Sequence, residues 1–319
     1  MHDQSNTHGT FLRQLLSHQP TASAFFKIVI PKKIQKYLDL SALEISKDQF
    51  IDSELKQQLS DMLFRVYRKD FIPAYIYLLF QHKGNPEPLM SYLLFRYMER
   101  IWEQTIHQGL TGHLPMIIPV VIYNGSTPWS VSTEFSKLFG SWQEHMSFFP
   151  DFQYIMCDLS QITAFNFSDT PILSTGMHLL HAIHDNNFED QLPHFLNPLK
   201  KLLDSEYTKR FLSYVITFLC GATKMKENDV ASVIDELFSK TGNDIFYHVQ
   251  EQLFFKGVIH QAQEGVLDVL TVRFETIPSK IVESIQAIEE IDIIKILHKQ
   301  SVTSSDLDEF EEVLDMMLF

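Results

Sequence analysis

Asp61, Gln81 and Lys83 are the residues whose types and spacing could do chemistry together. The runs MLFRVYR (62–68) and AYIYLLF (74–80) have the β-branched and aromatic content of strands, and Lys69-Asp70-Phe71-Ile72-Pro73 joins them. An antiparallel ribbon bending near Phe71 pairs positions whose numbers sum to about 142, which sets Asp61 opposite Gln81. Side chains alternate along a strand, so Gln81 and Lys83 share a face while His82 points away. An acid, an amide oxygen and an ammonium group meeting at one sheet end suit phosphodiester hydrolysis. Asp61 and Gln81 would hold Mg²⁺ or Mn²⁺, and Lys83 would orient water or offset charge in the transition state. A solvated strand end is the other reading of the same three residues.

Around that cluster the spacing predicts helices near Phe11–Leu16 and Phe25–Ile30, then a third from Pro31 through Leu38. FIDSELKQQL (50–59) reads as a loop or short helix leading into Asp61. Residues 89–107 form a long amphipathic helix with Leu93, Leu94, Tyr97, Met98, Ile101 and Trp102 on one face. MIIPVVIY (116–123) and FQYIMCDL (152–159) read as further strands, with Asn124-Gly125 turning between them. Strand, strand, helix, strand makes a mixed sheet covered by helices. After Thr170-Pro171 helical spacing dominates: 173–185, 192–203, 207–219, 230–238, 245–266 and 280–288, then the acidic DLDEFEEVLDMML. The expected division is an α/β domain over 1–165 and an acidic helical region over 166–319, through which the chain could form a homo-oligomer.

With 45% hydrophobic, 13% aromatic and 21% charged residues, the 319-residue chain has the composition of a folded protein. Its net charge of −14 is unevenly spread. Residues 1–130 hold 13 Lys+Arg and 11 Asp+Glu, against 13 and 29 in residues 131–319, so only the amino-terminal part has the charge to accept nucleic acid. The polar start, Met1-His2-Asp3-Gln4-Ser5-Asn6, and the lack of a run of roughly 18 apolar residues point to a cytoplasmic protein with no membrane partner. Cys157 and Cys220 are too few and too far apart for a zinc knuckle or a disulfide framework and read as core thiols. His178, His181 and His184 recur every three residues, but helical rotation spreads them and no acid pair completes a metal site. Lys32, Lys33, Lys36, Arg65, Arg68 and Lys69 could contact phosphate or could equally be a solvated surface. Tyr75, Tyr77, Tyr97 and Trp102 sit at core spacing, and no phosphate loop, dinucleotide fingerprint or nucleophile elbow is present.

The blocks HGTFLRQLLSHQPTASAFF, FIDSELKQQLSDMLFRVY, YIYLLFQHKGNPEPLMSYLLFRYMERIWEQ and LPMIIPVVIYNGSTPW resemble the Rpn group of recombination-promoting nucleases, also called YhgA-like transposases. The resemblance covers roughly residues 8–130, and EGVLDVLTVRFETIPSKIVESI is similar to the group's helical carboxy-terminal region. It implies an α/β, PD-(D/E)XK-type mixed sheet flanked by helices, metal-dependent cutting of DNA, and a metal-binding role for Asp61. Three positions depart from the group's pattern. Gln81-His82-Lys83 stands where the group has Glu-His-Gln, Gly9 where its early block has Asp, and Leu93 where its helix has Arg. An amide in place of a carboxylate removes a negative charge from the cation site and weakens it unless Asp52, Glu54 or another acid moves in. The alternative is a catalytically inactive member that binds DNA or oligomerises.

Overall fold

The structure is a computed structural model, and it describes residues 4–46, 60–70, 72–82, 85–109, 112–125, 127–140, 150–164, 167, 169–183, 185, 187–203, 205–223, 225, 227–238, 258–288 and 290–318. Lys83, Asp52, Glu54, His184, the 50–59 segment and the first part of the 245–266 helix lie outside the described residues. The chain divides into two compact units, Met1–Asn243 and Asp244–Phe319. The sequence boundary at 165/166 marks the change to helical composition, whereas the first unit continues through the next four helices.

A five-stranded sheet in the order β1-β2-β3-β4-β5 organises the first unit: β1 Leu38–Ile45, β2 Ser60–Arg68, β3 Pro73–His82, β4 Met116–Asn124 and β5 Ile155–Asp158. β1, β2 and β3 run antiparallel, and β3, β4 and β5 run parallel, so the sheet is mixed as the sequence implied. The parallel step from β3 to β4 needs a crossover, supplied by the helix Met90–His107. One departure is β1, which occupies residues assigned in part to the third helix. That helix is a single turn, Lys32–Gln35, and Leu38 and Leu40 then alternate into the core as an edge strand with a bulge between Asp39 and Glu44.

In chain order the described α-helices of the first unit are α1 Gln4–Leu16, α2 Gln19–Val29, α3 Lys32–Gln35, α4 Met90–His107, α5 Pro171–Ala182, α6 Phe188–Leu196, α7 Glu206–Ala222 and α8 Glu227–Phe238. On one face of the sheet, Met90, Leu94, Tyr97, Met98 and Ile101 of α4 pack on Leu63, Tyr77, Leu79, Ile117 and Val121. The other face is covered by α1 and α2, where Phe26 meets Phe64 edge-on at 5.0 Å. α5 and α7 then close over α1: Phe218 stacks on Phe11 at 4.3 Å, and a β-carbon at Gly176 would press 2.5 Å from Leu15. These contacts are why the helices Pro171–Ala182 and Glu206–Ala222 belong to the sheet's own core. No described helix is long and apolar enough to cross a membrane.

Burial pushes the hydroxyls of Tyr97, Tyr154 and Tyr207 up to about 12 from an ordinary 10. A phenol whose pKa is raised by folding stays protonated in the native state while the unfolded chain ionises, so its stabilisation is intact below pH 10 and lost as pH climbs through 12. The melting temperature should therefore be flat to about pH 9.5 and fall steeply above 10, with the phenolate absorbance of these three tyrosines appearing only as the chain unfolds. Ionisation of all three near pH 10 without unfolding would contradict this burial.

The second unit is helical: α9 over 258–274, α10 Ser279–Gln286, α11 Ile291–Thr303 and α12 Leu307–Leu318. Val266, Leu270, Ile285, Leu297, Phe310 and Leu314 form its core. Arg273 spans the carboxyl end of α11, donating Nη1 to the Ser301 carbonyl at 2.7 Å and Nη2 to the Ser304 carbonyl at 2.6 Å. Those carbonyls lie at a helix end that attracts positive charge and has few partners of its own. Arg273→Ala should destabilise this unit by about 2 kcal/mol in urea melts, and Arg273→Lys should recover less than half, because an ammonium cannot bridge both oxygens. Equal stability of all three proteins would remove the capping role.

Candidate active site

The hairpin register is fixed by its turn. Asp70 forms an ion pair with Arg68 at 2.6 Å and accepts the Ile72 amide, and the Arg68 amide donates to the Ile72 carbonyl at 2.8 Å. β2 and β3 consequently pair Tyr67 with Pro73 and Asp61 with Leu79, so partner numbers sum to 140. The expected opposition of Asp61 and Gln81 is corrected: the ribbon folds about Asp70 instead of Phe71, and Gln81 becomes the diagonal neighbour of Asp61. A shift of two leaves every side chain on its face. Asp61 shares its face with Tyr77, Leu79 and Gln81, at a diagonal Cα separation of roughly 7–8 Å from Gln81.

The hydroxyl of Tyr77 donates to Oδ2 of Asp61 at 2.9 Å. Tyr77 is 1% exposed and stacks on Tyr97 of α4 at 5.0 Å, with its own hydroxyl held well above the ordinary tyrosine range by burial and by the Asp61 charge. Tyr77 therefore stays a neutral donor and fixes one carboxylate oxygen from beneath. Both tyrosines were read as core residues, which they are. Their hold on Asp61 was not read, because core spacing says nothing about where a hydroxyl ends.

Gln81 reaches the same end of the sheet with its Oε1 buried and, among the described residues, without a hydrogen-bond partner. A buried amide oxygen with nothing donating to it is costly, and a cation would relieve that cost. For a hard divalent ion the donor set fits in kind, with one carboxylate and one carboxamide oxygen. No group of three or more His, Cys, Asp or Glu able to hold a metal occurs among the described residues. Beside Gln81 in the parallel register lie Tyr123 and then Asp158, an acid not picked out from the sequence. Asp158 is 7% exposed and accepts the amides of Trp129 at 2.8 Å and Ser160 at 2.9 Å, so it braces the loop after β4. Gly125 is required there, since a β-carbon would overlap the Tyr123 hydroxyl.

His82 points to the opposite face, as alternation requires, and stacks on His8 of α1 at 3.6 Å. Gly9 follows it, buried in α1, and Leu93 sits one turn before Tyr97 on α4. His178 donates Nδ1–H to the Ser174 carbonyl of its own helix at 2.7 Å and stacks on Phe195 at 5.8 Å, as an ordinary half-buried histidine does. Arg65 pairs with Glu44 at 2.7 Å, and the Arg65 and Arg68 ion pairs are part of the solvated sheet edge and turn. Cys157 is a buried thiol whose pKa burial pushes far up, which leaves it unreactive.

A family profile described as "Putative transposase, YhgA-like" matches residues 6–212, well over half of the chain. The chain belongs to the YhgA-like transposase family. Among curated relatives of this family member, recombination-promoting nuclease RpnD of Escherichia coli O157:H7 is 30% identical over 130 residues, 40% of this chain and 50% of that protein. Recombination-promoting nuclease RpnC of Escherichia coli K12 is 28% identical over 138 residues, 42% of this chain and 44% of that protein. The inactive recombination-promoting nuclease-like protein RpnE of the same strain is 27% identical over 131 residues, 40% of this chain and 43% of that protein. The chain spans about half the length of the curated relatives it matches. No solved structure matches it.

Proposed function

We propose that this YhgA-like protein is a metal-dependent DNA endonuclease of the PD-(D/E)XK type, with Asp61 and Gln81 as the protein ligands of Mg²⁺ or Mn²⁺ and Lys83 as the residue that positions water. The observation that carries this reading is the Oε1 of Gln81, buried and without a partner among the described residues, on the Asp61 face of the sheet. Relatives named as recombination-promoting nucleases support the substrate class. A bound divalent cation would neutralise phosphate charge and acidify a water molecule. The chain's own residues do the rest. Tyr77 locks Oδ2 of Asp61 so that the carboxylate keeps one orientation, the α4 core shuts water out beneath the pair, and the ammonium of Lys83 offsets charge on the phosphate as water replaces the leaving oxygen.

The second reading is a catalytically inactive member that binds DNA or oligomerises through its helical carboxy-terminal part. It is favoured by Gln81 standing where the family resemblance calls for an acid, and by the inactive-named relative. Supercoiled plasmid incubated with Mg²⁺ or Mn²⁺ and either the protein or its Asp61→Ala variant decides between them. Nicking by the parent alone supports the enzyme; equal absence of nicking in both removes it.

A further inference from the structure

A cavity of about 670 Å³ opens at the sheet end opposite Asp61 and Gln81. Its floor is apolar: Ile34 of α3, Met116 and Ile118 of β4, and Ile155 of β5. Ile118 and Ile155 lie on the α2 side of the sheet, and Ile118 is roughly 15 Å along the strand from the row holding Gln81 and Tyr123. This cavity is therefore no part of the candidate active site. Tyr37 forms one wall at 56% exposure and Met116 is 40% exposed, so two large apolar side chains face water where a ligand could cover them.

The rim is cationic. Lys33 of α3 and Lys36 at its carboxyl-terminal cap flank the opening, and the Lys36 ammonium sits 4.8 Å over the Tyr37 ring. Arg68 also lines the cavity, but its charge is matched by Asp70 at 2.6 Å. Among the described residues neither lysine has a carboxylate partner, so the pair carries the unmatched charge of the rim. An apolar floor with a few convergent charges is the usual make-up of a small-molecule site, and the volume is in the usual range for one.

We propose that this cavity binds an amphiphilic organic anion: a carboxylate or phosphate group held between Lys33 and Lys36, and an alkyl or aryl body laid over Ile34, Met116, Ile118 and Ile155. Each half of the site explains what the other cannot. A nucleic-acid backbone would satisfy the lysines but has no apolar body for the floor, and a neutral hydrocarbon would leave the two ammonium groups without a counter-charge.

Calorimetric titration of the full chain with decanoate, decyl phosphate, 1-decanol and inorganic phosphate, each below its aggregation concentration, tests the proposal. One or both decyl anions should bind saturably at one site, and which of them binds identifies the head group; decanol and inorganic phosphate should be at least tenfold weaker. The Lys33→Glu/Lys36→Glu double variant should lose at least tenfold in affinity with an unchanged melting temperature, because both side chains are exposed. Met116→Trp, at the cavity mouth, should block the alkyl chain while leaving duplex binding as it was. Absence of saturable binding by either decyl anion overturns the proposal. So does equal binding of decanol, or a double variant that loses affinity only for a short DNA duplex, which would make the rim a nucleic-acid contact.

Discussion

Asp61→Ala is expected to lower metal-dependent plasmid nicking by a factor on the order of 10²–10³, the largest loss of any single substitution in this chain. On the sheet face that carries Gln81, Asp61 is the neighbouring carboxylate, whereas Asp158, two strands away, is committed to the Trp129 and Ser160 amides, so removing Asp61 leaves chiefly the neutral oxygen of Gln81 to hold a cation. The same substitution also takes the acceptor away from the buried Tyr77 hydroxyl, at a cost of about 1–3 kcal/mol. Alanine thus confounds chemistry with stability, and Asp61→Asn separates them. Asparagine keeps an oxygen for Tyr77 and nearly the same shape, so the melting temperature should stay close to that of the parent while nicking still falls. An asparagine variant that nicks as the parent does would show that the charge of Asp61 is not what the reaction uses.

What the sequence made legible follows from how strong each local signal is. β3 and β4 are continuous apolar runs and α4 has a broad apolar stripe, so their types and order were readable. β1 was not, because its alternation is broken after Leu40 by the bulge between Asp39 and Glu44 and the preceding Pro31 is a good helix start. The shared face of Asp61 and Gln81 was readable, and their register was misread. Alternation depends on the chain alone, whereas the pairing depends on where the turn closes, and here the Asp70 side chain closes it one residue earlier than Phe71. An odd shift would have put Asp61 on the face of His82; the even one kept it beside Gln81. The tyrosine that holds Asp61 and the acid that braces the neighbouring loop were hidden for another reason. Their roles depend on where a hydroxyl and a carboxylate end in space, which spacing along the chain does not encode.

Gln81→Glu is expected to do the opposite of the Asp61 substitutions and to report on the cation directly. It changes one buried amide oxygen into a charged one on the face that Asp61 already occupies, which should tighten Mg²⁺ or Mn²⁺ by about 10–100-fold and raise nicking in proportion at limiting metal. The gain comes with a penalty that makes it diagnostic. Without metal, a second carboxylate with little access to water and another negative charge on its face resists ionisation, so the metal-free variant should melt below the parent. Lowering the pH toward 5 should narrow that gap, because the new carboxyl then takes up a proton and the repulsion disappears. Adding Mg²⁺ should also narrow it, and should raise the melting temperature of the variant more than that of the parent. A glutamate that merely sat at a solvated strand end would show none of this coupling: no loss without metal, no recovery by acid and no tighter binding by calorimetry. That pattern would leave Gln81 as a bystander and take the second ligand away from the proposed site.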